Sequence, residues 1–443
     1  LLALLFVTPL PAAEITVADP AEFQAAVKRV APGDTLLLKA GIWRDADLVF
    51  EAVGTAEKPI TMRPAQPGSV VLSGKSRVSI GGSHLTVEGL VFREAFHPEG
   101  YLVFRRDSKR LAEHCRVTRC SVIDCNPPVD DTKKKSTWVS LYGNHNRFDH
   151  CHLEGKTNPG TTLVVWLPET EGSPNEHAID HNYFGRRPEL KKNGGETIRI
   201  GDSDGSMQAS RTTVEANLFE ECDGEAEIIS NKSCENIYRG NTFRRCSGAL
   251  TLRHGNRSTI EENFFLGEKA RGTGGVRVIG EGHRIARNYF ADLMGDDTRA
   301  GLSIMNGVPD SKLNQYFQVK NAAVEDNVFL NCKETFVVGL ADNDSNNVVP
   351  PADVTISGNV VVAGRRKVVS MRDAKAGVVW SDNIYSGEDL GVTASADAWM
   401  QQDIRLGLRN GIEWPETPEA RGPSGKPLER SDVGPDAKEA NHR

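Results

Sequence analysis

The chain has 443 residues with 60 acidic and 53 basic side chains, and its formal net charge of −7 argues against a general nucleic-acid binder. Hydrophobic content of 38% with 42 glycines and 22 prolines marks a folded, loop-rich protein and excludes a chain disordered throughout. So mild an acidic excess leaves room for a local basic groove and an acidic substrate.

The first segment, LLALLFVTPLPAAE, has the apolar core and small-residue end of a secretory signal, so residues 1–13 read as its remnant and the protein as secreted or periplasmic. The run is too short to span a bilayer, and no other stretch reads as transmembrane. Next, DPAEFQAAVKRVAPGD predicts a helix: Asp19 is the N-cap, Pro20 opens the first turn, and Phe23, Ala26, Val27 and Val30 share one face. Eight cysteines between Cys115 and Cys332 fit neither zinc spacing nor a small disulfide scaffold. They are expected as buried free thiols, with one or two disulfides compatible with an oxidising compartment.

From Asn182 onward a motif of Asn, any residue and an aromatic recurs, at Asn182-Tyr183-Phe184, Asn217-Leu218-Phe219, Asn241-Thr242-Phe243, Asn263-Phe264-Phe265, Asn288-Tyr289-Phe290 and Asn327-Val328-Phe329. Weaker copies follow at Asn359 and Asn383, and copies are 22–25 or 32–39 residues apart. Such a period means a stacked repeat, and the short β-branched runs between copies have little helical periodicity. The expected fold is all-β: a single-domain right-handed parallel β-helix over residues 14–415, with the N-terminal helix as its cap. Asn at a recurring turn is expected to stack its amide from coil to coil. Residues 416–443, rich in Pro, Gly and charge, read as an irregular or partly disordered tail.

Within the repeat, the 29-residue stretch from Glu225 to Arg253 concentrates the chemistry. Residues two apart on a strand share a face, so Glu225 and Glu227 form an outward carboxylate pair. Lys232 follows beyond an expected turn at Ser230-Asn231, and Arg253-His254 closes the next strand. Aligning coils on the Asn motif stacks residue 249 on 225, 251 on 227 and 253 on 229. Ala226, Ile228, Leu250 and Leu252 then point inward, and Arg199 and Arg277 in the flanking coils point outward. On spacing alone, a solvated face of cross-strand ion pairs fits equally well.

The strings NGGETIRIG, GEAEIISNKS, LTLRHGN and GGVRVIGEGHRIARNYF resemble polysaccharide lyase family 6, which contains alginate lyases and chondroitinase B on a right-handed parallel β-helix. The resemblance runs from about Gly33 to about residue 390. It implies Asn193, Glu225 and Glu227 as ligands of Ca2+, Lys232 as catalytic base and Arg253 in the acid role. His254 belongs to the same string as a substrate contact; Arg187, Lys156 and Tyr316 are further substrate-binding candidates. The implied reaction is β-elimination on an acidic polysaccharide, with alginate the expected substrate and a monomer the expected state. A chondroitinase B-like lyase for dermatan sulfate and a non-catalytic polysaccharide-binding β-helix are the alternatives. A lysine acts as a base only when neutral, a form that neighbouring cations favour. Guanidinium does not deprotonate in proteins, so Arg253 suits charge stabilisation better than literal proton donation.

Overall fold

The computed structural model describes residues 12–128, 133–169, 172–341 and 346–435. The expected signal remnant falls almost wholly outside them. Among the described residues, three long sheets of fourteen strands each run the length of the molecule, and nearly every pairing is parallel. Each coil contributes one short strand to each sheet, which makes the chain a parallel β-helix. The helix Pro20–Val27 begins where expected: Asp19 accepts the Glu22 N–H, Pro20 opens the first turn, and Phe23, Ala26 and Val27 are buried. The Phe23 ring meets Phe50 edge-on at 6.2 Å, so the helix covers the apolar end of the first coils.

The Asn motif explains why coils stack in register. Before each Asn the chain turns through a left-handed residue, such as His181 (φ 54°), Ala216 (φ 51°) and Glu262 (φ 59°). From Asn182 through Asn217, Asn241, Asn263, Asn288, Asn327 and Asn359 to Asn383, each side-chain amide donates to the next amide oxygen at 2.9–3.0 Å. These amides are sealed from water, so the ladder satisfies polar groups that would otherwise be costly to bury. Two residues on, Phe184, Phe219, Phe243, Phe265, Phe290 and Phe329 form an interior pile with centroids 4.5–4.8 Å apart. All eight cysteines are buried free thiols.

Two expectations about the central strands need correction. The strand Glu227–Lys232 runs straight through Ser230 and Asn231, so the expected turn is absent. Its register to Gly248–His254 also differs: Glu227 pairs with Ala249, Ile229 with Leu250, Ser230 with Thr251 and Lys232 with His254. The shift comes from irregularities between Glu227 and Ile229 and between Asn231 and Lys232. An extra residue in a strand breaks the two-residue alternation, so Ile228 and Ile229 are both buried while Ala226 is exposed rather than inward.

Past the hairpin of Leu406–Arg409 and Ile412–Pro415, the chain to residue 435 has no further strand and returns along the flank of the solenoid. Arg244 binds Glu429 at 3.1 Å, the Arg430 guanidinium lies 4.2 Å over the Tyr183 ring, and Val433 packs against Tyr183 and Leu218. Residues 436–443 lie outside the described region.

Candidate active site

The second sheet carries the successive strands Glu227–Lys232, Gly248–His254 and Thr273–Val278, whose outward residues Glu227, Lys232, Arg253 and Arg277 share one open groove of about 490 Å³ with the loop that precedes Ile198–Gly201 in the coil before. Its lining includes Lys192, Asn193, Glu225, Glu227, Lys232 and Arg253. Inward residues such as Ile198, Ile200, Leu250, Leu252, Val276 and Val278 fill the core and fix these strands. A larger depression of about 700 Å³ around Arg93, Asp124, Glu154 and Arg186 holds none of these groups, and size alone gives it no chemistry.

Glu225 lies just before its strand and is gripped by the preceding coil. The Gly194 and Gly195 N–H groups donate to Glu225 Oε2 at 2.6 and 2.9 Å. Glycine is required there: a Cβ on Gly195 would meet the Gly224 carbonyl at 2.3 Å. Burial, and then the charge of Glu196, push the Glu225 carboxyl up to about 7, against the pull of the two glycine N–H groups. Glu227 Oε2 accepts from Ser230 Oγ at 2.5 Å, and Glu227 Oε1 lies 3.5 Å from Arg253 Nε and 3.8 Å from Arg277 Nη1.

The arginines share an aromatic floor. Arg253 Cζ lies 4.2 Å and Arg277 Cζ 5.2 Å from the Tyr316 ring centroid, and Arg277 Nη2 donates to the Tyr316 hydroxyl at 2.5 Å. Arg253 Nη1 has no hydrogen-bond acceptor, which leaves one donor of the fork uncommitted. Beneath Lys232, the buried Asn231 amide bonds the His254 and Ser233 carbonyls at 2.8 and 2.9 Å and accepts from Tyr238 Oη at 2.7 Å. This network holds the backbone under the lysine rigid.

A profile of the chondroitinase B family matches residues 17–417. The chain belongs to that family, polysaccharide lyase family 6. Among solved structures, the family 6 alginate lyase AlyGC matches at 40% identity with a TM-score of 0.90, over 95% of this chain and 58% of that one. The present chain thus spans little more than half the length of that relative. A mannuronic acid specific family 6 lyase from human gut microbiota matches at 32% identity and a TM-score of 0.80, over 89% of this chain and 92% of that one. The family 6 lyase Pedsa3628 from Pseudopedobacter saltans matches at 26% identity and 0.75, over 95% and 99%. No curated protein matches.

Of the residues expected at a lyase site, Asn193, Glu225, Glu227, Lys232 and Arg253 come together in the groove. His254 and Tyr316 lie next to them but are 2% and 6% exposed. Burial and the neighbouring Arg253 and Lys232 charges push the His254 imidazole down to about 3, so the ring stays neutral. Its Nδ1 has no hydrogen-bond partner. Arg187 and Lys156, expected as substrate-binding candidates, are instead buried, at 2% and 1% exposed. The Arg187 fork is spent on interior carbonyls, and Lys156 Nζ donates to the Asn158 side chain under the Trp138 ring, so neither offers a face to a polymer.

Arg277 and Glu196 are among the groove residues that escaped site assignment from sequence. Arg277, in GGVRVIG, faces Glu227 from two coils beyond the metal candidates. Glu196, three residues after Asn193, stands 4% exposed behind Glu225. The outward position of Arg277 was legible in the strand alternation, but its carboxylate partner was not.

The donor set of one amide and two carboxylates is all oxygen, as a hard cation such as Ca2+ prefers. Among the described residues no three His, Cys, Asp or Glu side chains form a preformed metal cluster. The partial shell fits a cation that keeps open positions. Burial first, and then the charges of Glu196 and Glu227, raise the Glu225 carboxyl, a cost that a bound cation would offset.

Proposed function

We propose that the protein is a calcium-dependent lyase that cleaves alginate, with preference for mannuronate units, by β-elimination to leave 4,5-unsaturated uronate ends. The observation that carries this reading is the meeting of an amine and two guanidinium groups with a carboxylate pair in one groove. Binding alone needs no base, and a hydrolase would use its carboxylate pair as acid and base with no call for an amine beside them.

Asn193, Glu225 and Glu227 would hold the cation, which when bound offsets the substrate carboxylate charge and so acidifies the C5 proton. The Lys232 amine takes that proton as base; the C4–O4 bond breaks as the C4–C5 double bond forms. Arg253, anchored by Glu227 and Tyr316, sets its guanidinium charge beside the developing charge and the departing O4, which takes its proton from water. Arg277 adds a second fixed positive charge. Alginate is favoured because the relatives at 40% and 32% identity are an alginate lyase and a mannuronic acid specific lyase. A polymeric substrate also suits action outside the cytoplasm, by a monomer. No helix among the described residues is long and apolar enough to cross a membrane.

A panel of poly-mannuronate, poly-guluronate and dermatan sulfate, followed by absorbance of the unsaturated product, tests the reading. Fastest turnover is expected on poly-mannuronate, and turnover of dermatan sulfate alone would move the enzyme to the chondroitinase side of the family. Lys232→Ala is expected to abolish product formation while the melting curve and calcium binding persist; retained activity would remove the base assignment. Chelation should stop turnover and added calcium restore it, and full activity in chelator would eliminate the metal.

A further inference from the structure

The loops that carry the candidate metal ligands are tied together from beneath by a buried cation that touches neither groove nor solvent. Arg187 Nη1 donates to Glu196 O at 2.7 Å and Thr162 Oγ1 at 3.1 Å. Its Nη2 donates to Gly160 O at 2.8 Å and Asn158 O at 3.3 Å. Among the described residues no carboxylate lies within ion-pair distance of this guanidinium, so its fork is spent on neutral oxygens. The Arg187 backbone meets the following coil: its N–H donates to Glu221 O, and its carbonyl accepts from Asp223 N, both at 2.9 Å. Gly224 packs so tightly that a Cβ there would meet Arg187 Nε at 2.8 Å.

Three successive turns thus converge on one residue: its side chain bonds residues 158–162 and Glu196 at the end of its own turn, 187–196, and its backbone bonds residues 221–224. The second presents Asn193, and the third leads directly into Glu225 and Glu227. The second is also clasped at its far end, where Thr161 Oγ1 donates to Glu196 Oε2 at 3.0 Å. Both fastenings fall on Glu196, directly after the Gly194 and Gly195 N–H groups that grip Glu225. Burial pushes the Arg187 guanidinium down to about 10, so the group remains a cation, and the charges of Glu196 and Glu225 oppose that shift.

We propose that Arg187 is a positioning residue for the metal site, whose planar fork sets the height of the Asn193–Glu196 loop against Glu225 and thereby the affinity for calcium. The inference rests on the calcium reading above. A lysine would keep the charge but cannot reach several carbonyls in one plane, so charge and geometry are separable.

The test is calcium titration by calorimetry on the metal-stripped full chain, with the calcium-induced rise in melting temperature as a second readout. Arg187→Met and Arg187→Lys are both expected to bind calcium at least ~10-fold more weakly than the parent, as outer-shell changes do. Turnover of both should recover as calcium is raised. Parent-like affinity in both variants, even with a lower metal-free melting temperature, would make Arg187 a purely structural residue and overturn the proposal. Parent-like affinity in Arg187→Lys alone would assign the effect to charge and also overturn it. A parent that binds no calcium would instead bring down the calcium reading, and this inference with it. If neither Arg187 variant folds, Thr161→Val frees the Glu196 carboxylate from the same clasp; weakened calcium binding supports the proposal and unchanged binding overturns it.

Discussion

Arg253 is held from two sides, by the Glu227 carboxylate at 3.5 Å and by the Tyr316 ring at 4.2 Å, and both contacts fix where its remaining donor points. A partly desolvated cation–π contact is worth about 1–2 kcal/mol, so Tyr316→Leu should lower kcat roughly 10-fold, along with the lower melting temperature that shrinking a buried ring brings. Tyr316→Phe keeps the ring and loses only the hydroxyl that Arg277 uses, so its effect on steady-state kinetics should be smaller. Equal losses in the two variants would point to the hydroxyl rather than the ring. Lys232 and Arg253 were legible as catalytic candidates through the resemblance of their strings to polysaccharide lyase family 6, because on spacing alone a solvated face of ion pairs fitted equally well. The burial of Arg187 and Lys156 was not legible. Whether a cation on a coil sees water depends on the turn of the next coil, which lies some thirty residues away, roughly one repeat.

Stacking of elements depends on the Asn ladder, and Asn263 shows what one rung carries. Its Oδ1 accepts from Asn241 N at 2.9 Å and Asn241 Nδ2 at 3.0 Å, and its Nδ2 donates to Tyr238 O, Glu261 O and Asn288 Oδ1 at 2.9 Å each. Asn263→Ala strands all of these buried partners. At ~1–3 kcal/mol for each unsatisfied group, the loss should be roughly 3 kcal/mol or more in chemical denaturation. A loss below about 1 kcal/mol would mean that water replaces the amide. The ladder was readable because it is local: an Asn follows a left-handed corner in every coil, and the same local need recurs in sequence. The register of Glu227–Lys232 was not readable, because a bulge changes side-chain alternation without a compositional mark.

For the whole molecule, burial of neutral histidines ties stability to pH. His177 and His254 are pushed down to about 3 and His283 to about 4, each mainly by burial. A histidine whose folded pKa lies below its unfolded value binds fewer protons when folded, so its stabilising contribution is complete above about 6.5 and shrinks as pH falls toward the folded value. Each such group costs about 1.4 kcal/mol per pH unit within that window. The melting temperature is therefore expected to fall steadily from about pH 6.5 to about pH 4. In His283→Asn that decline should be shallower, and an unchanged slope would place the acid sensitivity elsewhere.

The sequence by itself determined the β-helix and the capping helix. Those follow from repeating local patterns: β-branched runs, left-handed corners before Asn, an N-cap followed by proline. Only the tertiary structure decided which cations face the groove and which lie under it, because coil contacts join residues one repeat apart and a single bulge resets which face each side chain takes. Arg277 was thereby brought onto Glu227, and Arg187 was taken from the surface to a place beneath the candidate metal loop.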